Sequence, residues 1–486
     1  MKKWSDKFVL VLGLGETGLS MLRYLSAQGA RLRAADSRSA PAGLAEAAKY
    51  VAAQQLFCGA FHDSIFNDID LIAISPGVPL ADPVIARAVA RGIPVVGDIE
   101  LFARQLATYD LPPCPKVLAI TGSNGKTTVT SMVAHLCKSA GKDVLAAGNI
   151  SPAVLDVMMG RGARQPEVWV LELSSFQLET TSTLHADAAT VLNVTEDHLD
   201  RYDGMDAYAA AKARVLNGCG VQVLNRDDSR SIGMARAGIP AVTFGLNPPQ
   251  PSLVREGEVN NALENFGIVH DAGEIWLMQG EQRLMRASEL QLSGLHNVAN
   301  ALAALALCRA IGLEISPLLA GLRSFKGLPH RVEKIAEIAG VTYYDDSKGT
   351  NVGATVAALQ GLGRRAVVIL GGEGKGQDFG PLHAAVGSHA RAVVLIGRDA
   401  ELIAAALQGC GVKIARAADM ADAVRQASAL AQANDAVLLS PACASFDMFR
   451  NYEHRAQEFI AAVEALTPSV APWSGGEAVK EGAWPR

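Results

Sequence analysis

The stretch that decides the fold is Thr121-Gly122-Ser123-Asn124-Gly125-Lys126-Thr127-Thr128, a glycine-rich turn that leads into Lys-Thr-Thr. It follows a strand-like apolar run at 117–120. It precedes a helical pattern in which apolar residues recur at i, i+3, i+4 and i+7 from Val129. Glycines let the backbone come close to phosphate oxygens, and the N–H groups at a helix start face the anion. In such a loop the lysine amine reaches the β- and γ-phosphates and the first threonine hydroxyl binds magnesium. We therefore predict that residues 122–128 bind ATP.

The loop is shorter than the usual P-loop, because Ile120 stands where the first glycine is expected. An ordinary glycine turn is the alternative interpretation, and the placement of the lysine and threonines argues against it. The shortened form resembles the nucleotide loop of the Mur ligase family, which uses ATP to join an amino acid to a carboxylate. The resemblance extends over nearly the whole chain. It implies an α/β protein of three domains: an N-terminal Rossmann-like domain, a central P-loop ATPase-type domain and a C-terminal Rossmann-like domain.

Composition shifts and the alternation of strands and helices indicate where these domains lie. We expect a UDP-substrate-binding domain at residues 1–110, an ATP-binding domain at 111–325 and an amino-acid-binding domain at 326–466. Residues 467–486 are rich in proline, glycine and tryptophan, and we expect a disordered tail there. The polar segment 247–265 is predicted to be an extended surface loop.

The N-terminal block carries a second glycine motif, Gly13-Leu14-Gly15-Glu16-Thr17-Gly18, between a strand and a helix, and the next strand ends at Asp36. This pattern is typical of a pyrophosphate site. The block alone leaves two ligands open, NAD in an oxidoreductase or a UDP-sugar, and the P-loop favours the UDP-sugar. The resemblance implies that the UDP-substrate is contacted by Gly15, Thr17, Asp36, Ser37, Arg38, Ser75, Gly77 and Asn149.

A candidate metal site follows the P-loop in sequence. Glu172 ends the apolar strand at 168–171, and a hard cation prefers such an oxygen ligand. The segment Asn193-Val194-Thr195-Glu196-Asp197-His198-Leu199-Asp200-Arg201-Tyr202 is similar to the family's metal and substrate segment. The resemblance implies two Mg²⁺ ions, with Mn²⁺ able to replace them, held by Thr127, Glu172, His198 and Lys212. It also implies catalytic roles for Lys126, His198, Lys212 and Asn149.

Lys212 has two interpretations. In an alanine-rich helix it resembles an ordinary surface lysine. A buried lysine near a metal has a lowered pKa instead, and its free amine reacts with CO₂ to give an anionic carbamate. The resemblance implies this modification, with the carbamate as a ligand of the second magnesium.

The C-terminal block alternates strands and helices, which predicts a parallel sheet wrapped by helices. Polar loops at 345–351, 371–376 and 440–447 follow strands, and ligands bind at the carboxyl ends of parallel strands. The resemblance implies that Lys348, Thr350, Ser445 and Tyr452 bind D-glutamate. It also adds Asn297, Asn300, Arg331 and Asp346 to the ATP site. Capping of the helix that begins near Asn297 is the alternative for the two asparagines.

The composition agrees with a large soluble enzyme, and the resemblance implies small-molecule partners. The chain has 486 residues and a net charge of −5, so it offers no basic field for nucleic acid or for an anionic membrane. No segment approaches the roughly 20 apolar residues that span a bilayer. Seven scattered cysteines predict reduced core thiols, and we expect a cytoplasmic monomer. The motifs resemble the branch of the family that uses ATP to add D-glutamate to UDP-N-acetylmuramoyl-L-alanine.

Overall fold

A computed structural model describes residues 4–109, 114–198, 200–248, 265–292 and 294–466. The chain forms two compact units, one that runs to Leu328 and one that begins at Pro329, with residues 375–377 grouped with the first. Most of the predicted 247–265 loop and the whole predicted tail at 467–486 lie outside the described residues.

The first unit begins with a five-stranded parallel sheet, and the strand order reverses beside its first strand. The order is β3-β2-β1-β4-β5. The strands are β1 (Phe8–Leu12), β2 (Arg31–Asp36), β3 (Leu56–Cys58), β4 (Leu71–Ile74) and β5 (Val95–Val96). The helices are α1 (Glu16–Ala27), α2 (Leu44–Ala47), α3 (Pro83–Ala90) and α4 (Asp98–Leu106). The Gly13–Gly18 turn follows β1, which is where a doubly wound sheet binds its ligand.

The second sheet of this unit places the P-loop strand near its middle. Its six parallel strands follow the order β11-β10-β9-β6-β8-β7. They are β6 (Lys116–Thr121), β7 (Val144–Gly148), β8 (Val168–Glu172), β9 (Ala188–Val191), β10 (Val221–Asn225) and β11 (Ala241–Phe244). The helices are α5 (Lys126–Ser139), α6 (Val154–Arg161), α7 (Ser175–Glu179), α8 (Gly204–Ala213), α9 (Ser229–Gly233), α10 (Leu295–Ala310) and α11 (Ile315–Ser324). Because β6 pairs with both β8 and β9, the ends of all three strands lie side by side.

A small antiparallel sheet, which the sequence analysis did not predict, follows β11. It consists of β12 (Phe266–Asp271), β13 (Glu274–Gln279) and β14 (Gln282–Arg286). Ala272 and Gly273 connect the first pair with φ values of 50° and 82°. Two successive residues with positive φ form the tight turn that suits the twist of an antiparallel hairpin.

The second unit holds a mixed sheet with the order β15-β16-β20-β17-β18-β19. Its strands are β15 (Glu333–Ile338), β16 (Val341–Asp345), β17 (Ala366–Gly371), β18 (Ala390–Ile396), β19 (Lys413–Arg416) and β20 (Ala436–Leu439). Its helices are α12 (Val352–Gly361), α13 (Leu382–His389), α14 (Ala400–Ala406), α15 (Met420–Leu430) and α16 (Tyr452–Glu464). The prediction of a parallel sheet is wrong for β15, which is antiparallel to β16. The two residues between them, Ala339 and Gly340, are too few for the crossover that a parallel pair needs.

The cysteines are free thiols, as predicted, but they are not all in the core. Cys58 and Cys114 are exposed, so the prediction of core thiols is wrong for them. Among the described residues, no helix combines the length and the apolar character that crossing a membrane requires.

Candidate active site

The P-loop joins β6 to α5, and the position just before α5 requires glycine. Gly125 has a φ of 81°, and a Cβ atom there would stand 2.8 Å from Oδ1 of Asn300. The Lys126 amine donates hydrogen bonds to the carbonyl oxygens of Gly122 and Ser123, at 2.8 and 2.9 Å. The lysine amine therefore lies against the glycine turn at the start of α5, and a helix start is where an anion is favoured.

Residues after β9 fix the shape of the P-loop. The N–H of Ser123 donates to the carbonyl oxygen of Asn193 at 2.9 Å, and the N–H of Asn124 donates to Oδ1 of Asn193 at 2.8 Å. The Ser123 hydroxyl donates to the carbonyl oxygen of Thr195 at 2.9 Å. The predicted metal and substrate segment thus begins in direct contact with the nucleotide loop.

Glu172 ends β8 beside the P-loop strand and has a carboxylate oxygen suited to a cation. The residue is 2% exposed. Its Oε1 accepts a hydrogen bond from Nδ2 of Asn149 at 3.0 Å. Its Oε2 is buried without a hydrogen-bond partner among the described residues. An unpartnered buried carboxylate oxygen is costly unless a cation or water binds it. The donor set therefore fits Mg²⁺, which prefers oxygen ligands.

Lys212 is buried, which contradicts the surface interpretation of this lysine. It lies on α8, is 1% exposed, and stands 4.3 Å above the ring of Tyr208. Its Nζ donates to the carbonyl oxygen of Gly122 at 2.8 Å, the same oxygen that accepts from Lys126. Burial and the neighbouring Lys126 charge hold the pKa of Lys212 well below its ordinary value. The neutral amine is favoured because burial disfavours the charged form, and because two ammonium groups on one carbonyl repel each other.

His198 lies in an aromatic cluster next to these lysines. Its φ of 55° is uncommon for a residue with a side chain, and its ring stands 4.8 Å from that of Phe176. Burial lowers the pKa of His198, nearby lysine charges lower it further, and Asp197 opposes the change. A neutral imidazole is the form that binds metals.

The two asparagines predicted to meet ATP lie on the first turns of α10, beside the P-loop. Asn297 is buried, and Nδ2 of Asn300 donates to its Oδ1 at 3.2 Å. Oδ1 of Asn300 also lies beside Gly125. The capping alternative is not supported, because α10 begins at Leu295 after Gly294 and neither asparagine is its N-cap.

In the N-terminal domain, Asp36 holds the glycine turn in place. Its carboxylate accepts a hydrogen bond from the N–H of Leu14 at 2.7 Å and a bidentate pair from Arg38. The Arg38 hydrogen bond, with help from backbone donors, lowers the pKa of Asp36 to about 2 despite its burial. Ser75 Oγ donates to the carbonyl oxygen of Gly13 at 3.1 Å, so the loop after β4 closes on the same turn. Gly15, Thr17, Ser37 and Gly77 lie on these same loops and at the start of α1.

Arg201, which the sequence analysis did not single out, connects the two domains of the first unit. Its guanidinium donates to the carbonyl oxygens of Pro76 and Val78, both at 3.1 Å, and lies 4.2 Å from the centre of the Phe176 ring. The loop predicted to hold the UDP-substrate is therefore tied to the His198 segment. The position of Arg201, three residues after His198, was the clue that the sequence offered.

In the second unit, the three predicted polar loops come together. The N–H of Ala442 donates to the carbonyl oxygen of Gly349 at 3.0 Å, and Glu373 and Ala444 exchange two backbone hydrogen bonds. The Lys348 amine stands 3.7 Å from the centre of the Tyr452 ring. Ser445 is buried in the same group of loops, and Thr350 is partly buried.

Asp346 lies at the base of these loops, and Arg331 lies in the segment before β15. Burial raises the pKa of Asp346 to about 7, although the Ser440 hydroxyl donates to its Oδ2 at 2.7 Å and the Arg331 charge favours ionisation. The roles of Asp346 and Arg331 in binding ATP stay predictions.

Comparisons with known proteins cover all three domains. Family models match at residues 7–97 (Mur ligase MurD-like, N-terminal domain), 120–308 (Mur ligase middle domain) and 330–443 (Mur ligase, glutamate ligase domain). A UDP-N-acetylmuramoylalanine–D-glutamate ligase of Nitrosospira multiformis is 56% identical over 462 residues, 94% of this chain and 95% of the relative. The protein of that name from Thiobacillus denitrificans is 57% identical over 474 residues, 95% and 97% of the two chains.

Solved structures agree on the fold. A pseudomurein peptide ligase type C from Methanothermus fervidus has a TM-score of 0.59 at 20% identity and covers 95% of this chain and 100% of its own. A UDP-N-acetylmuramate–alanine ligase from Thermotoga maritima has a TM-score of 0.58 at 18% identity, with the same coverage. Likenesses at such identities concern the fold alone. The family models and the relatives that share more than half of its residues show that the chain belongs to the Mur ligase family.

Proposed function

We propose that this protein uses ATP to join the amino group of D-glutamate to the alanyl carboxylate of UDP-N-acetylmuramoyl-L-alanine, a step of bacterial peptidoglycan precursor synthesis. The observation that carries the proposal is the 56% identity, over 94% of the chain, to a relative named for this reaction. The P-loop, the Glu172 oxygen that has no hydrogen-bond partner among the described residues, and the buried Lys212 support the proposal.

The first step is transfer of the γ-phosphoryl group of ATP to the substrate carboxylate, because a carboxylate itself is a poor electrophile. The attacking carboxylate and the phosphate are both anions, so positive charge is needed where they meet. We assign that task to Lys126, whose amine lies over the P-loop carbonyls, with Asn149 as a contact to the reacting carboxylate. The products are ADP and an acyl phosphate.

Magnesium bound in this region supplies further positive charge to the transferring phosphoryl group. We assign Thr127 and Glu172 to one ion, and His198 and Lys212 to a second. The buried Oε2 of Glu172 and the depressed pKa of His198 support these assignments.

We propose that Lys212 serves as a carbamate. Its neutral amine attacks the carbon of CO₂ and releases one proton, and the product is an anion with two oxygens. The lysine's burial and its low pKa support the first step, since only the unprotonated amine is a nucleophile. The anion would also remove the repulsion that an ammonium group has with Lys126.

In the second step the amine of D-glutamate attacks the acyl phosphate carbonyl, and phosphate leaves. We assign Lys348, Thr350, Ser445 and Tyr452 to D-glutamate, because a cation and hydroxyl groups suit its two carboxylates. The close contact between Lys348 and the Tyr452 ring supports a common site. We assign the N-terminal loops around Asp36, Arg38 and Ser75 to the UDP part of the other substrate.

The test is a phosphate-release assay with Mg²⁺, ATP and UDP-N-acetylmuramoyl-L-alanine, in which D-glutamate, L-glutamate, meso-diaminopimelate and L-lysine are offered separately. Phosphate release that depends on D-glutamate supports the proposal. Phosphate release with only another of these amino acids would assign the protein to a different branch of the family. Tight NADH binding without ATP affinity would favour the oxidoreductase alternative.

Sedimentation of the purified protein tests the expected monomer, and cell fractionation tests the expected cytoplasmic location.

A further inference from the structure

Arg455 is a buried cation that none of the steps above uses. It lies on the first turn of α16, is 0% exposed, and is among the largest fully buried side chains of the described residues. A buried charge costs free energy unless hydrogen bonds satisfy it, so hydrogen-bond acceptors are expected around the guanidinium.

The Arg455 guanidinium donates to oxygens of two different loops. Nε donates to Oγ of Ser347 at 3.0 Å, and Nη2 donates to the Ser347 carbonyl oxygen at 2.7 Å. Nη1 donates to the carbonyl oxygen of Cys443 at 3.0 Å. The Ser347 hydroxyl extends this hydrogen-bond network, because it donates to the carbonyl oxygen of Tyr452 at 2.8 Å. One planar group therefore joins the 345–351 loop, the 440–447 loop and the start of α16.

Three of the four residues assigned to D-glutamate lie at these contacts or within two residues of them in the sequence, and Thr350 lies three residues after Ser347. Lys348 follows Ser347 directly, and Ser445 comes two residues after Cys443. Tyr452 contributes the carbonyl oxygen that accepts from Ser347. A shift of any one loop would change the distances between the groups that must meet the two carboxylates of the substrate.

Arginine suits this position better than lysine. Its rigid fork presents several N–H groups in one plane, whereas a lysine ammonium is a single point at the end of a flexible chain. Burial lowers the pKa of Arg455 to about 10, and neighbouring acidic groups oppose the change. The side chain is therefore still charged at neutral pH.

We propose that Arg455 is a positioning residue, which sets the geometry of the D-glutamate site by holding Ser347, Cys443 and Tyr452 in register. It touches none of the reacting atoms. The inference rests on the proposed function, since the site it positions is the one assigned to D-glutamate.

The test compares KM values of Arg455→Lys with those of the unaltered enzyme. Loss of hydrogen bonds to a charged group predicts a rise of at least about ten-fold in the KM for D-glutamate. The KM for the UDP-substrate is expected to stay within about two-fold, because its predicted contacts lie in the first unit. The KM for ATP is expected to rise less than that for D-glutamate, because only Asp346 and Arg331 of the predicted ATP residues lie in the second unit. A folded Arg455→Lys with an unchanged KM for D-glutamate, or with equal rises for all three substrates, overturns the proposal.

Two further variants separate positioning from stability. Tyr343→Phe removes a hydrogen bond from the Tyr343 hydroxyl to Ser428 Oγ at 3.0 Å, a contact in the same unit between β16 and α15 that involves none of the three loops. It is expected to lower Tm while the KM for D-glutamate stays unchanged. Ser347→Ala removes only the hydroxyl, so it should raise that KM less than Arg455→Lys does, and the double variant should show less than the product of the two effects.

Each outcome bears on one of the two proposals. If Arg455→Lys does not fold, Ser347→Ala decides, and an unchanged KM for D-glutamate in that variant overturns the positioning role. If the unaltered enzyme ligates a different amino acid, the proposed function fails. The same variants are then measured with that amino acid, so the role of Arg455 is still tested.

Discussion

Asp98 gives the prediction whose size follows most directly from the structure. It is the first residue of α4, it is fully buried, and Nε2 of Gln177 donates to its Oδ2 at 3.1 Å. Gln177 is itself held by Ser174, whose N–H donates to its Oε1 at 3.1 Å. This contact joins the N-terminal and central domains of the first unit.

Burial raises the pKa of Asp98 from 3.8 to about 6, against the opposing effect of the Gln177 hydrogen bond. A group whose pKa is higher in the folded state contributes stability below about pH 3.8, and that contribution is lost as the pH rises through about 6. At about 1.4 kcal/mol per pKa unit, the full difference is about 3 kcal/mol.

Asp98→Asn removes the titration and keeps one oxygen to accept from Gln177. Above pH 7 we expect the variant to have a free energy of unfolding up to about 3 kcal/mol higher than that of the unaltered protein. The gain should shrink toward zero as the pH falls to about 4. Asp6→Asn, which changes an exposed carboxylate, is the matched control.

The assay is urea denaturation between pH 4.5 and 8, followed by tryptophan fluorescence. Trp169 is buried with its ring 5.0 Å from that of Phe102 on α4, so its emission reports on this unit. A stability difference that does not change with pH would refute the titration of Asp98. A variant that is less stable at pH 8 would show that the ionised carboxylate is favoured in the folded state.

Three further predictions concern activity. Lys126→Ala should lower kcat at least about a hundred-fold, because it removes charge from the transferring phosphate, while calorimetry should find UDP-substrate binding unchanged. Loss of affinity for both ATP and the UDP-substrate would contradict the assignment of these two ligands to separate sites. Arg38→Ala should raise the KM for the UDP-substrate about ten-fold and leave the KM for ATP unchanged, since it removes one loop cation and leaves the Asp36 carboxylate without its bidentate partner. Steady-state kinetics decide, and unchanged values for the UDP-substrate would remove this loop from the site. Lys212→Ala should lose most activity without unfolding, and acetate or formate should restore part of it by supplying the missing oxygens. A fully active Lys212→Ala would rule out the carbamate.

Sequence alone determined the parts of this protein that depend on neighbouring residues. The P-loop could be predicted because Gly122 and Gly125 adopt backbone angles that other residues avoid, between a strand and a helix set by apolar periodicity. The position of Glu172 could be predicted for a similar reason, since a carboxylate at the end of an apolar strand lies at the ligand-binding edge of a parallel sheet, and its role as a metal ligand stays a prediction. The domain boundaries drawn from the sequence stay predictions.

Only the tertiary structure decided which polar groups are buried together. The alanine-rich sequence around Lys212 has no apolar stripe that would reveal its buried face, and only the packing of α8 brings its amine to the carbonyl of Gly122. Arg201 and Arg455 were missed because most of their acceptors are backbone carbonyls, which any residue type offers, and those of Pro76, Val78 and Ser347 lie 108 to 125 residues away in the sequence. The antiparallel β15 escaped prediction because strand direction depends on the turn at Ala339 and Gly340, not on the strand itself. Local pattern fixes an element, whereas burial and long-range hydrogen bonds are properties of the packed chain.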